Sequence, residues 1–192
     1  MFYRSSLLIA VSFFLSACAH TIAISPISTP ARIDANLIQK KVAYVMTDVD
    51  RSKQITTAGG GGDKVTYLPY RDLEKVIRDA LRSVYSDVLV IKSNTDSEAI
   101  KSNDISFIFT PEITTSSSSD SILTWPPTKF TTEISCSVAD RNGKEVAHIK
   151  AKGNGLAEFS EFKGDFGLAG RRSATDVAEK LRQEVLSNKD LH

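Results

Sequence analysis

Three stretches in the second half of the chain alternate regularly between apolar and polar side chains. They cover residues 105–114, 129–139 and 145–152. Because successive side chains of a β-strand point to opposite faces, this alternation predicts strands with one buried and one solvated face. Asn142-Gly143 stands between the last two stretches, and this pair is typical of a tight hairpin. The pattern therefore favours a fold built on an antiparallel sheet that needs a covering layer on one side.

Two segments repeat apolar residues at helical spacing and can supply that layer. The first covers residues 69–86, and Pro69 suits its opening turn because it lacks an N–H group. The second covers residues 174–186, and Ser173 and Asp176 have the spacing of a capping box. The apolar stripes consist of Leu73, Val76, Ile77, Ala80, Leu81 and Val84 in the first helix and of Val177, Ala178, Leu181 and Val185 in the second.

Shorter apolar runs at residues 42–48 and 88–92 predict two more strands. The order of elements is then β-α-β-β-β-β-α. We predict an α+β fold, a two-layer sandwich in which a mostly antiparallel sheet carries two amphipathic helices on one face.

The N-terminus has the features of an exported bacterial protein. Arg4 precedes an apolar run at residues 7–15, which is shorter than the roughly 20 apolar residues that span a bilayer. The run ends in Leu15-Ser16-Ala17-Cys18, which matches the lipobox of bacterial lipoproteins at every position. This resemblance implies cleavage before Cys18, diacylation of its thiol and acylation of the new amine by chains such as palmitate. Ala19, in place of Asp, implies sorting to the outer membrane. The alternative is an ordinary signal peptide in which Cys18 is incidental.

These features divide the chain into three parts. We assign a lipoprotein signal peptide to residues 1–17, a lipidated N-terminus with an extended tether to residues 18–40, and a single periplasmic domain to residues 41–192. Loss of Arg4 with the signal leaves 23 of the 24 basic residues against 23 acidic ones. A net charge near zero gives no reason to expect a nucleic acid as partner.

The chain has two cysteines with different predicted roles. If Cys18 carries lipid, Cys136 has no partner within the chain, which excludes an internal disulfide. Cys136 shares the apolar row of its strand with Ile134 and Val138. This position predicts a buried core thiol, and a reactive thiol is the alternative.

No residue pattern predicts a catalytic site, a metal site or a cofactor. The glycine run at residues 59–62 could be taken for a phosphate cradle, but the lysine of a P-loop opens the following helix, whereas Lys64 precedes the predicted helix by several residues. We interpret the run as a mobile loop tip without specific contacts. The three histidines show no metal-ligand spacing; they are His20, His148 and His192. We therefore expect a chain that is not an enzyme, although an active site assembled from distant residues would leave no such pattern.

Two loops carry more apolar residues than a connection needs. The loop at residues 116–128 begins with a serine run and contains Ile122, Leu123 and Trp125, the only tryptophan. The loop at residues 159–172 places Phe162 and Phe166 among glycines. Each loop can either fold back as a plug or present a contact for a partner, since aromatic residues at rigid tips are frequent interface anchors. We treat these five residues as possible partner contacts.

Several stretches resemble the YajG-type small envelope lipoproteins of bacteria. The matching features are Ile24-Ser25-Pro26, the helix opening Arg71-Asp72-Leu73, the turn from Asp140 to Lys144 and the run Asp176-Val177-Ala178. The glycine run and the Trp125 loop depart from the family pattern. More loosely, the order of elements is similar to the lipoprotein subunit of the lipopolysaccharide-assembly translocon. The resemblance implies a non-enzymatic envelope protein and supplies no mechanism.

The sequence thus favours a lipid-anchored accessory or scaffold subunit of a cell-envelope assembly or transport complex, with an envelope protein or a second copy as partner. A lipid- or glycan-binding envelope module is the alternative. Exposed apolar residues on the two loops would favour the first interpretation. A deep apolar cavity between helix and sheet would favour the second.

Replacing Cys18 with Ser should abolish lipidation, because the hydroxyl cannot form the thioether. We expect Cys18→Ser to lose palmitate label and to leave the membrane fraction, while the native chain keeps both. A Cys18→Ser chain that still takes up palmitate would contradict the lipobox assignment.

Overall fold

The computed structural model describes residues 19–192, so the predicted signal peptide and Cys18 lie outside the described residues. The strands are β1 (Ala19–Thr21), β2 (Ile38–Val45), β3 (Ile55–Ala58), β4 (Lys64–Tyr67), β5 (Tyr85–Ile91), β6 (Ile105–Ser118), β7 (Lys129–Asp140) and β8 (Glu145–Leu156). The helices are α1 (Asp48–Ser52), α2 (Pro69–Arg82), α3 (Ser97–Ser102) and α4 (Leu168–Ser187). Within residues 19–192, no helix is both long enough and apolar enough to cross a membrane.

Five strands form the main sheet in the order β5-β2-β6-β7-β8. β6, β7 and β8 are antiparallel, as their alternation predicts, and β2 runs parallel to both of its neighbours. The parallel pairs arise because α2 carries the chain back between β2 and β5, and α3 does so between β5 and β6. The predicted α+β sandwich is therefore confirmed, with the antiparallel pairing concentrated in its C-terminal half.

The core lies between this sheet and the helices α2 and α4. Its largest fully buried side chains include Tyr85, Phe109, Phe130, Leu73 and Leu81, which come from both layers. Within residues 19–192, the opposite face of the sheet is covered only near β2, where Ile100 of α3 packs with Ala43 and Ile108. Elsewhere that face is polar.

Two glycines of β8 allow α4 to lie directly against the sheet. A Cβ atom at Gly155 would stand 1.9 Å from the carbonyl oxygen of Ala169, and one at Gly153 would stand 2.3 Å from that of Ser173. Both distances are far below van der Waals contact. Helix and strand therefore meet backbone to backbone, with no space for a ligand between them.

The last helix begins at Leu168, before the predicted start at residue 174, and the predicted capping box is wrong. Ser173 is fully buried inside the helix, and its hydroxyl donates to the carbonyl of Gly153 at 3.1 Å. The carboxylate of Asp176 accepts from the backbone N–H of Asn154 at 2.9 Å. The apolar periodicity begins later than the helix itself, because the first turns of the helix face the sheet with small residues instead of large ones.

A second sheet, in the order β1-β4-β3, covers the far part of β6. β6 pairs with β2 only as far as Phe109, so its last residues extend beyond the edge of that strand. The hydroxyl of Tyr67 in β4 lies 2.7 Å from Thr115 Oγ1, and its ring meets the edge of Phe130 at 5.3 Å. These strands are only three or four residues long, and the sequence pattern did not predict them.

The segment predicted as a tether is extended but lies on the domain. Ile22 and Ile24 are buried in the core, and the N–H of Ile24 donates to Asp72 at 3.3 Å. Further along, Arg32 donates to the carbonyl oxygens of Arg82 and Tyr85 at 2.9 and 3.1 Å. The domain thus holds this segment from Ala19 onward, and its boundary is not at residue 40.

Cys136 is a buried core thiol, as predicted, with 1% of its surface exposed. Burial raises the pKa of the thiol from 9.0 to about 12. A thiol that ionises more readily in the unfolded chain favours unfolding at high pH. The buried, protonated thiol therefore contributes fully to the free energy of unfolding below pH 9. This contribution is lost as the pH rises towards 12.

We therefore expect native Cys136 to resist a polar maleimide at pH 8 and to react on unfolding. The free energy of unfolding, measured with guanidinium, should fall above pH 9, and Cys136→Ala should weaken this dependence. Cys136→Ala should also cost about 1 kcal/mol at neutral pH. Rapid labelling of the folded chain would contradict the assignment.

Candidate functional site

Four chain segments meet at one end of the domain, which we call the loop end. They are the β6–β7 loop (119–128), the β3–β4 loop (59–63), the connection before α4 (157–167) and the start of β1. The strand register brings them together, because Ala19 pairs with Lys64 and Lys129 pairs with Leu156. The first described residue of the chain therefore belongs to this end.

Trp125 anchors the β6–β7 loop at its base. The indole ring stacks on the ring of His20 with centroids 4.0 Å apart, and the ring of Phe166 lies 4.7 Å away. Trp125 is half-buried against the core, and Pro126 and Pro127 behind it are buried. These contacts favour the plug interpretation for Trp125.

The glycine run is the surface on which this loop rests. The N–H of Gly60 donates to the carbonyl of Trp125 at 2.8 Å. A Cβ atom at Gly60 would stand 1.8 Å from the carbonyl oxygen of Thr124. The expectation of a loop tip without specific contacts is therefore wrong. Glycine is needed here because two backbones approach each other closely.

Ile122 and Leu123 form an exposed apolar tip on the anchored loop, with 85% and 90% of their surfaces accessible. Among the described residues, five of the nine exposed large apolar side chains lie at the loop end. The other three there are Leu156, Phe159 and Phe166. Isolated exposed apolar residues are normal, whereas a group at one end indicates a contact surface.

The predicted contact residues thus separate into two groups. Ile122 and Leu123 are available to a partner, and Phe166 is partly so. Phe162 is only 3% exposed, so its assignment as a contact is wrong: the turn at Phe159–Glu161 directs it into the core. Leu156 was missed, and Phe159, which opens the second predicted loop, was not among the five predicted contacts. Continuing the alternation of β8 past Lys152 would have placed Leu156 on the exposed face.

A shallow cleft of about 600 Å³ lies beside the tip. Its walls include Leu156 and Phe159 together with two ion pairs. The pairs join Lys129 to Asp120 and Arg172 to Glu161, each at 2.7 Å. The hydrogen bond from Arg172 lowers the pKa of Glu161 to about 2, so this carboxylate keeps its charge in moderately acidic solution. Of the five charged side chains that line the cleft, only Glu158 has no ion-pair partner among the described residues.

The histidines are dispersed. His20 stacks on Trp125, His148 Nε2 lies 2.8 Å from Ser135 Oγ, and His192 Nε2 lies 3.0 Å from the carbonyl of Leu186. Within residues 19–192, no group of three or more His, Cys, Asp and Glu side chains could hold a metal ion.

Comparisons with known proteins find similar structures only. No protein-family model matches the chain, and no curated protein is similar in sequence. The fold is similar to XCC0632 from Xanthomonas campestris, described as family-model DUF330, with a TM-score of 0.49, 11% identity, and coverage of 90% of this chain and 95% of that one. It is also similar to a PelC dodecamer subunit from Paraburkholderia phytofirmans, with a TM-score of 0.39 and 15% identity. The match covers 78% of this chain and 94% of that one. The YajG-type resemblance stays a prediction.

Trp125 and Leu123 should respond differently to truncation. Trp125→Ala should destabilise the domain by about 2 kcal/mol, less than the 3–5 kcal/mol for a fully buried aromatic residue, because the indole is half-buried. Leu123→Ala should change stability by less than about 0.5 kcal/mol, since its side chain faces solvent. Denaturant melts of both variants test this. Equal losses would show that the tip is also part of the plug.

Proposed function

We propose that this chain is a lipoprotein held in the outer membrane by acyl chains on Cys18 and facing the periplasm. In this proposal it serves as a non-enzymatic accessory or scaffold subunit of an envelope assembly or transport complex. The observation that carries the proposal is the junction between a complete lipobox and the first strand: Cys18 is followed directly by Ala19 of β1.

The junction supports an anchored subunit more strongly than the lipobox alone does. Two or more acyl chains hold a protein firmly in a bilayer, whereas one chain binds marginally. Because β1 is part of the folded domain, there is no spare chain between the lipid and the fold. Such a protein has a fixed end near the membrane, as a scaffold subunit requires.

The second candidate is a lipid- or glycan-binding envelope module. α4 lies too close to β8 for a ligand between that helix and that strand, which does not support a deep cavity there. The cleft beside Phe159 is the recess that we consider for this candidate, and its volume of about 600 Å³ is typical of ligand sites. An exposed aromatic ring between paired charges suits a sugar ring.

The test is crosslinking in intact cells with the native chain and with Cys18→Ser as control. If the chain assembles at the membrane, the native chain should give adducts of discrete mass that the soluble variant lacks. A native chain that stays monomeric after crosslinking and in mild detergent would contradict the scaffold role. Retention on insoluble cell-wall or capsule polysaccharide, without protein adducts, would favour the second candidate.

A further inference from the structure

We propose that the loop end rests on the bilayer that carries the anchor, and that Ile122 and Leu123 insert into the lipid interface beside the acyl chains. The inference rests on the proposed lipid anchor and adds to it an orientation and a second, non-covalent membrane contact. It assigns the exposed tip to lipid and not to a protein.

The first step is the position at which the chain enters the fold. Adjacent Cα atoms are about 3.8 Å apart, so an anchor at Cys18 cannot be far from Ala19. β1 runs parallel to β4, and Ala19 pairs with Lys64, the first residue of β4 after the glycine loop. The anchor therefore joins the domain at the loop end and at no other place.

The second step connects this entry point to the tip. His20, the residue after Ala19, stacks on Trp125 and lies 3.6 Å from the carboxylate of Asp63. A Cβ atom at Gly61 would stand 3.1 Å from the carbonyl oxygen of Ile122. These contacts hold Ile122 and Leu123 against the β3–β4 loop, beside the point at which β1 begins. The tip thus lies beside the proposed lipid and cannot move away from it without breaking the stack.

The third step is the chemistry of the tip. Ile122 and Leu123 are almost fully exposed, which is unfavourable in water and favourable at a lipid interface. The ion pairs of Lys129 with Asp120 and of Arg172 with Glu161 involve four of the five charged side chains that line the cleft beside the tip, and Glu158 is the fifth. A surface with a single excess charge can approach a lipid bilayer without strong repulsion. A protein partner or a second copy at this position would have to displace the bilayer to which the acyl chains already hold this end.

The test places a reporter on the tip of the full lipidated chain. Leu123→Cys is labelled with a small fluorophore, and the protein is reconstituted into phosphatidylethanolamine and phosphatidylglycerol vesicles that contain nitroxide-labelled lipid. Native Cys136 is buried and stays unlabelled, which the unmutated chain verifies. The matched control is Ile33→Cys, an exposed apolar residue close to Tyr85, which starts β5 at the opposite end of the domain. Extended strands rise about 3.3 Å per residue, so the 14 residues of β6 separate the two ends by about 45 Å.

We expect the reporter at position 123 to lose most of its fluorescence to the lipid nitroxides, and the reporter at position 33 to keep it. If the chain floats with the vesicles but the two reporters behave alike, the tip is free and the inference is overturned, while the anchor stands. If the reporter at position 123 is shielded from aqueous iodide but not quenched by lipid, the occupant is protein, which also overturns it. A native chain without acyl mass that does not float would overturn the proposed function itself.

Discussion

The contact between α4 and β8 is the constraint on which the rest of the structure depends. It requires glycine at positions 153 and 155, and it brings the backbone of the helix onto the strand. The same end of the helix also receives the N-terminal segment, since a Cβ atom at Gly170 would stand 2.4 Å from a methyl carbon of Ile24. One row of small residues therefore fixes the helix on the sheet and the first segment on the helix. The loop end takes its shape from this arrangement, because β1 and the connection before α4 both continue from it.

The large elements of the fold could be predicted because the apolar residues of each repeat at the spacing of a strand or of a helix. Alternation identified β6, β7 and β8, and helical spacing identified α2. The small sheet could not be predicted, since strands as short as Ala19–Thr21 carry no period and owe their existence to pairing partners distant in sequence. The first turns of α4 were missed for a related reason: helix periodicity is detected from large apolar residues, and a helix that touches a backbone needs small ones.

The candidate site was predictable only in part. Exposure of Ile122 and Leu123 follows from their place between a polar serine run and two prolines. Burial of Phe162 depends on a single turn whose direction the sequence does not encode locally. Plug and tip, which the sequence presents as alternatives for the whole loop, coexist in the structure. Trp125 provides the fixed base, and the residues before it extend outward, so that one loop is both rigid and exposed.

The packing of the N-terminal segment has a mechanical consequence. Load from a membrane tether would enter at Ala19 and run along the axis of β1, so its short ladder with β4 would be sheared and not peeled open. In shear, all hydrogen bonds of a ladder share the force at the same time. Behind the ladder, the buried side chain of Ile24 and the guanidinium of Arg32 are two further fixed points. Tension would be absorbed in the first fifteen or so residues of the fold, before it reached the main sheet.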